Sequence, residues 1–289
     1  MKETNISMPD GLNVRALIFE RDNPKAAVQI IHGLKEHKKR YIHFAEFLHG
    51  NGYAVIVCDN RGHANSVNDK FPLGYMDGID LMADDAHTVT EHIKNLYPDT
   101  PLYMLGHSFG SLIARHYMKT HDSKISKLVL SGTVGYIKSI PIGIIIAKII
   151  TALKGKKGGS KILRALADNG DVSWVCSDKE TMEKYRADKF CCGYKYYNAA
   201  IYTIFESVKE LHNFKAFKCE NPNLPILSVT GGLDPVTGGK RGIDDSISSL
   251  QRAGYKNIKN ILYENMLHEV LNETDKETVY RDILSFFEN

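Results

Sequence analysis

The stretch Leu102-Tyr103-Met104-Leu105-Gly106-His107-Ser108-Phe109-Gly110-Ser111 decides how the rest of this chain is read. An apolar tetrad that reads as a strand runs into Gly-x-Ser-x-Gly, and a helical pattern over 111–118 follows at once. A serine on so sharp a strand-to-helix turn needs strained backbone angles. It also needs tiny neighbours two residues away, because larger side chains would strike the adjoining strand and helix. Gly106 and Gly110 meet that need, and Ser111 is small as well. The helix N-terminus then points its free N–H groups at the reacting oxygen. Gly-x-Ser-x-Gly alone arises by chance in roughly one chain in ten of this length. Its place between a strand and a helix is what makes Ser108 the candidate nucleophile.

Working outward, apolar runs at 16–19, 26–31, 53–58, 128–130, 225–230 and 261–263 read as further strands, and 41–49 and 81–96 as helices. The runs are continuously apolar rather than alternating. That is the pattern of strands buried on both faces, so the chain reads as α/β with a parallel sheet covered by helices. The alternation stops after Gly135. From 136 to 208 the text is helical or irregular, with the basic Gly-rich loop Lys154-Gly155-Lys156-Lys157-Gly158-Gly159-Ser160-Lys161. The simplest organisation is one core built from 1–135 and 209–289, with a helical insertion at 136–208.

Composition excludes several classes. The 289 residues are 43% hydrophobic and 25% charged, enough to bury a sizeable core. The net charge of +3 is the difference between 37 basic and 34 acidic side chains, too balanced for a nucleic-acid partner. Residues 1–10 lack a basic segment followed by an apolar one, so no secretory signal is expected. Five cysteines (Cys58, Cys176, Cys191, Cys192, Cys219) are an odd set without C-x-x-C spacing. They argue against a disulfide framework and against a metal site. The vicinal Cys191-Cys192 reads as reduced packing residues, and a cytoplasmic location follows by default. The apolar run 140–153 holds Pro141 and Lys148 and falls short of the ~20 residues a membrane span requires, so it reads as a short helix.

A serine hydroxyl needs a base, and the base an orienting acid. Past Ser108, the strand ending at Thr230 runs into Gly231-Gly232-Leu233-Asp234, which puts Asp234 just beyond a strand end, at the edge where parallel sheets build sites. After the last strand comes Glu264-Asn265-Met266-Leu267-His268-Glu269, which makes His268 the base candidate. Glu264 and Asp245 are alternative acids, though neither follows a strand end. Of the other histidines, His43, His49, His87, His92, His116, His121 and His212 fall on or beside helical patterns. His107 flanks the nucleophile and is expected in the core. His32, His37 and His63 sit on strand-end loops, where they could line the site. Two backbone N–H groups are needed to hold the oxyanion. Phe109 supplies one, and Leu34 the other, on a loop whose sharp turn Gly33 allows. Lys35, Lys38 and Lys39 of that loop read as surface charge.

With these residues in place, the chain resembles the monoglyceride lipase and lysophospholipase family of α/β-hydrolases, a branch with serine aminopeptidase-like members, nearly end to end. His32-Gly33-x-x-Glu36-His37-x-x-Arg40-Tyr41 is similar to that family's oxyanion-loop signature. Asp59-Asn60-Arg61-Gly62-His63-Ala64-Asn65-Ser66 resembles its D-x-R-G-H-G-x-S segment, with Ala64 in place of glycine. Gly106-His107-Ser108-Phe109-Gly110-Ser111 resembles G-H-S-M-G-G. Gly232-x-Asp234-x-Val236 and His268-Glu269-x-x-Asn272-Glu273 resemble the acid and base segments. The resemblance implies an α/β-hydrolase fold, with a mostly parallel eight-stranded sheet, helices on both faces and a mobile helical cap between the sixth and seventh strands. It implies cleavage of carboxylic esters through an acyl-enzyme, without a metal or organic cofactor. The substrates expected are single-chain fatty acyl esters such as monoacylglycerols or lysophospholipids. A thioesterase, amidase or acyltransferase would use the same triad, and a non-catalytic binding protein is the reading left if Ser108 is not activated. In the insertion, Ile142, Ile145, Ile146, Ile149 and Leu153 recur at helical spacing. That stripe is expected to pack on the core. The alternative is that part of it lines an acyl-chain tunnel or makes peripheral contact with a membrane or micelle, beside the nearby lysines. Phe190, Tyr194, Tyr196, Tyr197, Tyr202 and Phe205 add aromatic surface to the cap or form a small core of its own.

Overall fold

The continuous apolar runs are indeed the inner strands. In a computed structural model describing residues 1–167 and 170–289, β3 (Ala27–Ile31) and β4 (Ala54–Cys58) are buried along their whole length. So are β5 (Leu102–His107), save Tyr103, and β7 (Ile226–Gly231). With β1 (Lys2–Ser7), β2 (Asn13–Phe19), β6 (Lys127–Ser131) and β8 (Ile258–Tyr263) they form, among the described residues, one eight-stranded sheet in the order β1-β2-β4-β3-β5-β6-β7-β8. Pairing is antiparallel at β1–β2 and β2–β4 and parallel from β4 onward. This is the α/β-hydrolase architecture. β1 escapes a sequence reading because it is an edge strand with polar residues at most positions, defined by its pairing with β2 rather than by an apolar run.

The parallel register aligns the strand ends that matter. Ile31 lies beside Gly106, His107 beside Ser131, Ser131 beside Val229, and Gly231 beside Tyr263. The loops leaving β3, β5, β7 and β8 therefore emerge at one edge of the sheet, carrying Leu34, Ser108, Asp234 and His268. Helices α1 (Ile42–Gly50), α2 (Ile79–Leu96), α3 (Phe109–His121), α8 (Gly239–Arg252) and α9 (Lys276–Glu288) belong to the two layers around the sheet, over two main apolar clusters. In the turn after β4, Ala64 stands where the family pattern has glycine. Ala64 adopts φ 43°, a left-handed conformation that costs a residue with a Cβ roughly 1–2 kcal/mol.

Between β6 and β7 come α4 (Ile140–Lys154), α5 (Lys161–Ala167), α6 (Lys179–Ala187) and α7 (Asn198–Glu210). Here the structure corrects the orientation of α4. Ile142, Ile145, Ile149 and Leu153 are 63, 58, 55 and 80% exposed, whereas Ile140, Ile144 and Ala147 are buried. The packing face is set by Gly143 and Ala147, whose small size lets α4 come close to α7. A Cβ on Gly143 would lie 3.3 Å from the Phe205 ring. Only Ile146 of the expected stripe is partly buried against the core. The aromatic residues also divide differently. Tyr196 and Phe205 join the main core, with Tyr194 and Tyr202 packed on it; Tyr197 packs on a small cluster of Phe71, Tyr75 and Ala199, and a second small cluster is Val175, Cys176, Met182, Tyr185 and Cys191. The vicinal pair splits, with Cys191 buried there and Cys192 exposed. Among the described residues no helix is long and apolar enough to cross a membrane.

The two faces of α4 respond differently to truncation. Ile144→Ala is expected to cost about 2 kcal/mol or more, and Ile149→Ala to stay within ~0.5 kcal/mol, in urea unfolding. Equal losses would contradict this orientation.

Candidate active site

Ser108 stands between β5 and α3 with φ 52° and ψ −120°, a region that a residue with a Cβ occupies only at a cost. Its surroundings enforce that conformation. The Ser108 N–H donates to Ser131 O on β6 (2.9 Å), and the Ser108 carbonyl accepts from the Ser111 N–H (2.9 Å) and hydroxyl (2.5 Å). Gly110 is required by approach, since a Cβ there would sit 2.1 Å from Ile31 O. The same holds at Gly106, where it would sit 2.5 Å from Gly110 O. Gly33 brings the loop after β3 directly against Ser108, since a Cβ on it would lie 2.8 Å from Ser108 Cβ.

Asp234 and His268 are brought together in the interior. His268 Nδ1 and Asp234 Oδ2 are 2.7 Å apart and both side chains are buried. Asp234 Oδ1 accepts the Val236 N–H at 2.8 Å, which fixes the carboxylate. Burial works against a charged imidazole. The Asp234 carboxylate, with Glu269 and Glu36 behind it, more than offsets this and holds the His268 pKa above its ordinary value. His268 Nε2 is buried and has no hydrogen-bond partner among the described residues. The Ser108–His268 bond that a base would use is therefore not formed here, although both residues line one cavity of about 480 Å³. The alternative acids lie elsewhere: Asp245 pairs with His212 at 2.8 Å, and Glu264 is exposed.

Among the described residues, neither the Leu34 nor the Phe109 N–H has an acceptor, and both residues line the same cavity. His32, His37 and His63 do not line it. His32 instead ties two loops together, accepting the Asn60 N–H at Nε2 (2.8 Å) and contacting Gly33 O through Nδ1 (2.8 Å). His63 packs against the His32 ring at 5.2 Å, and His37 pairs with Asp188 at 2.9 Å. His107 is buried as expected, but it also lines the cavity, 4.8 Å from the His268 ring.

The loop after β3 holds a polar network that residue-by-residue reading misses. Lys38 is not surface charge. It is buried, and its Nζ donates to Asp59 Oδ2 at 2.7 Å, whereas Lys39 is exposed. Glu36 Oε1 accepts the Gly33 N–H and the Tyr41 hydroxyl (3.0 Å). Arg40 lies 3.7 Å from Glu36 and donates to Glu269, the residue after the candidate base. One guanidinium thus links the loop after β3 to the His268 loop. Burial, reinforced by Glu269 and only partly countered by Arg40, pushes the Glu36 pKa up to about 8. The signal available in sequence was the spacing of Glu36, Arg40 and Glu269 within the two motifs.

With this geometry in view, the chain can be set beside known proteins. The sequence pattern of the family described as serine aminopeptidase, S33, matches residues 22–275. A monoacylglycerol lipase of Mycolicibacterium smegmatis is 25% identical over 269 residues, covering 91% of this chain and 88% of that protein. A phospholipase of Bacillus subtilis is 25% identical over 286 residues, covering 93% and 97%. A highly thermostable carboxyl esterase from Bacillus coagulans, solved in complex with glycerol, superposes with a TM-score of 0.88 at 26% identity, covering 99% of this chain and 97% of that one.

Glu36 gives the fold a measurable pH dependence. Its carboxyl ionises near 4.5 when unfolded and near 8 when folded. Between those values the folded state holds the extra proton. Its contribution to stability is therefore full below 4.5 and is lost as pH rises through about 8. Glu36→Gln is expected to flatten this fall, read as the difference in urea midpoint between about pH 5 and about pH 8.5. An unchanged difference would remove Glu36 as its source.

Proposed function

Since the chain belongs to the serine aminopeptidase, S33, family of α/β-hydrolases and its relatives are esterases and lipases, we propose that Ser108, Asp234 and His268 form a catalytic triad that hydrolyses single-chain fatty acyl esters. The observation that carries this reading is the buried Asp234–His268 pair opening on an apolar cavity shared with the strained Ser108.

In this mechanism His268 Nε2 takes the proton of Ser108 Oγ as that oxygen attacks the ester carbonyl. Asp234 holds the Nδ1–H and stabilises the imidazolium that forms. The Leu34 and Phe109 N–H groups donate to the developing oxyanion, and losing one such donor typically costs ~10²–10³ in rate. His268 returns its proton to the departing alcohol. Water, deprotonated by His268, then cleaves the acyl-enzyme and frees Ser108.

The cavity wall supports an acyl chain as the buried half of the substrate. Leu34, Leu112, Val134, Ile204 and Val208 contribute apolar surface to about 480 Å³. Each buried methylene is worth ~0.8 kcal/mol, so ten contribute at most ~8 kcal/mol, enough to make chain length a strong selector. Residues 136–208 act as the cap, supplying the part of that wall on α5 and α7. The outward face of α4 fits a lipid surface. Ile142, Ile145, Ile149 and Leu153 are exposed there, and on α5 Ile162 and Leu166 are exposed too, Leu166 also lining the cavity. Exposed Lys138, Lys148, Lys154 and Lys161 lie along the same helices and their approach, which favours anionic headgroups.

Ser108→Ala is expected to lower kcat by about 10⁶-fold. Across p-nitrophenyl esters, decanoate should be turned over with a higher kcat/KM than acetate. Equal values would sink the acyl-chain reading, and a fully active Ser108→Ala would sink the nucleophile. For the cap, Ile145→Glu with Ile149→Glu should abolish retention on phosphatidylglycerol vesicles while leaving hydrolysis of a water-soluble short ester intact. Undiminished retention would rule out this face.

A further inference from the structure

Trp174 is the sole tryptophan of the chain, and it lies against the candidate base rather than in the core. Residues 170–178, which carry it ahead of α6, run over the loop following β8. Trp174 O accepts the N–H of His268 itself (3.3 Å), and Val175 O accepts that of Glu269 (2.8 Å). Farther along, the Cys176 thiol donates to Asn272 O at 3.2 Å. The Glu273 carboxylate accepts the Ser177 N–H (3.0 Å) and hydroxyl, and also the Leu267 N–H (2.9 Å) just before His268. A stretch of the insertion is thus bonded to the backbone of the base and of the residues after it, and through Glu273 to the residue before it.

The indole adds a side-chain contact. Its centroid is 5.1 Å from that of the imidazole with the planes 60° apart, and its N–H donates to Asp171 O at 2.8 Å, which fixes the ring. The imidazole therefore meets Asp234 through Nδ1, His107 at 4.8 Å and Trp174 at 5.1 Å. Turning it out of line would mean displacing one of two rings as well as breaking the bond to Asp234. The indole also lines the cavity and covers a base that is only 3% exposed.

We propose that Trp174 is a positioning residue for His268, holding the imidazole in line on Asp234 and making base geometry depend on where this segment sits. The proposal rests on the triad reading above. The charged and titratable groups facing His268 are Asp234 from the β7 loop, Glu269 beside it, Glu36 and Arg40 from the β3 loop and His107 from β5.

Because the chain has one tryptophan, its emission reports this contact directly: a protonated imidazole in van der Waals contact quenches an indole. Wild-type emission should fall as pH drops through the acidic limb of the kcat/KM profile. His268→Gln, which leaves Trp174 in place, should abolish that titration. Trp174→Ala should lower kcat by roughly 10- to 100-fold with little change in KM for the acetate ester, and Trp174→Phe should restore most of kcat. Emission that does not titrate, or that titrates equally in His268→Gln, overturns the proposal even where alanine unfolds the segment. So does a Trp174→Ala enzyme altered only in KM for long-chain esters, since the indole would then be pocket wall alone. Failure of the triad reading looks different: there Ser108→Ala stays active whatever the emission does.

Discussion

The structure depends on how closely the turn at Ser108 is pressed against its neighbours. With Gly110 against the Ile31 carbonyl and Gly33 against Ser108, nothing larger than hydrogen fits at either contact. The left-handed backbone of Ser108 is costly by itself. It persists because β6 accepts the Ser108 N–H and Ser111 donates twice to its carbonyl. The strain is repaid by position: the hydroxyl stands above the end of the sheet, next to the first free N–H of α3. A parallel register that aligns β3, β5, β6 and β7 at this edge is the precondition, and continuous apolar strands are what allow such a sheet to be buried on both faces.

Charge organises the second level. Three buried cations near this edge of the sheet are each set against carboxylates. Lys38 is set against Asp59, Arg61 against Asp85 and Asp10, and Arg40 against Glu269 with Glu36 close by. The last set is unbalanced, two carboxyls to one guanidinium, and the excess appears as the raised Glu36 pKa. Its benefit is connection: the loop bearing Leu34 and the loop bearing His268 share one cation, so neither can shift without the other. The segment at Trp174–Ser177 does the same from the insertion side. His268 is thereby held by the sheet, the loop after β3 and the insertion at once.

The insertion shows where periodicity stops being informative. Helix α4 is apolar on nearly all sides, so Ile142, Ile145 and Ile149 make as good a stripe as Ile140, Ile144 and Ala147. Choosing between them takes the partner. Helix α7 presents Phe205, and only a face with Gly143 and Ala147 can come close to it. Small residues, which a hydrophobicity pattern discounts, decided the packing. What remained outward is an apolar surface flanked by lysines.

The sequence by itself determined the sheet, the turn at Ser108, and the order Ser108, Asp234, His268. These rest on local rules: run length and apolarity for strands, glycine spacing for the turn, and strand ends for the loops. It did not reveal β1, whose residues are polar and whose only definition is its partner. Nor did it reveal that Lys38 is buried, that His32 braces a loop instead of facing the cavity, or that Trp174 lies on His268. Each of these depends on a residue distant in sequence, Asp59, Asn60 or the β8 loop. Tertiary structure alone decided them, because a charge or a ring takes its role from what it touches, and those contacts exist only once the chain has folded.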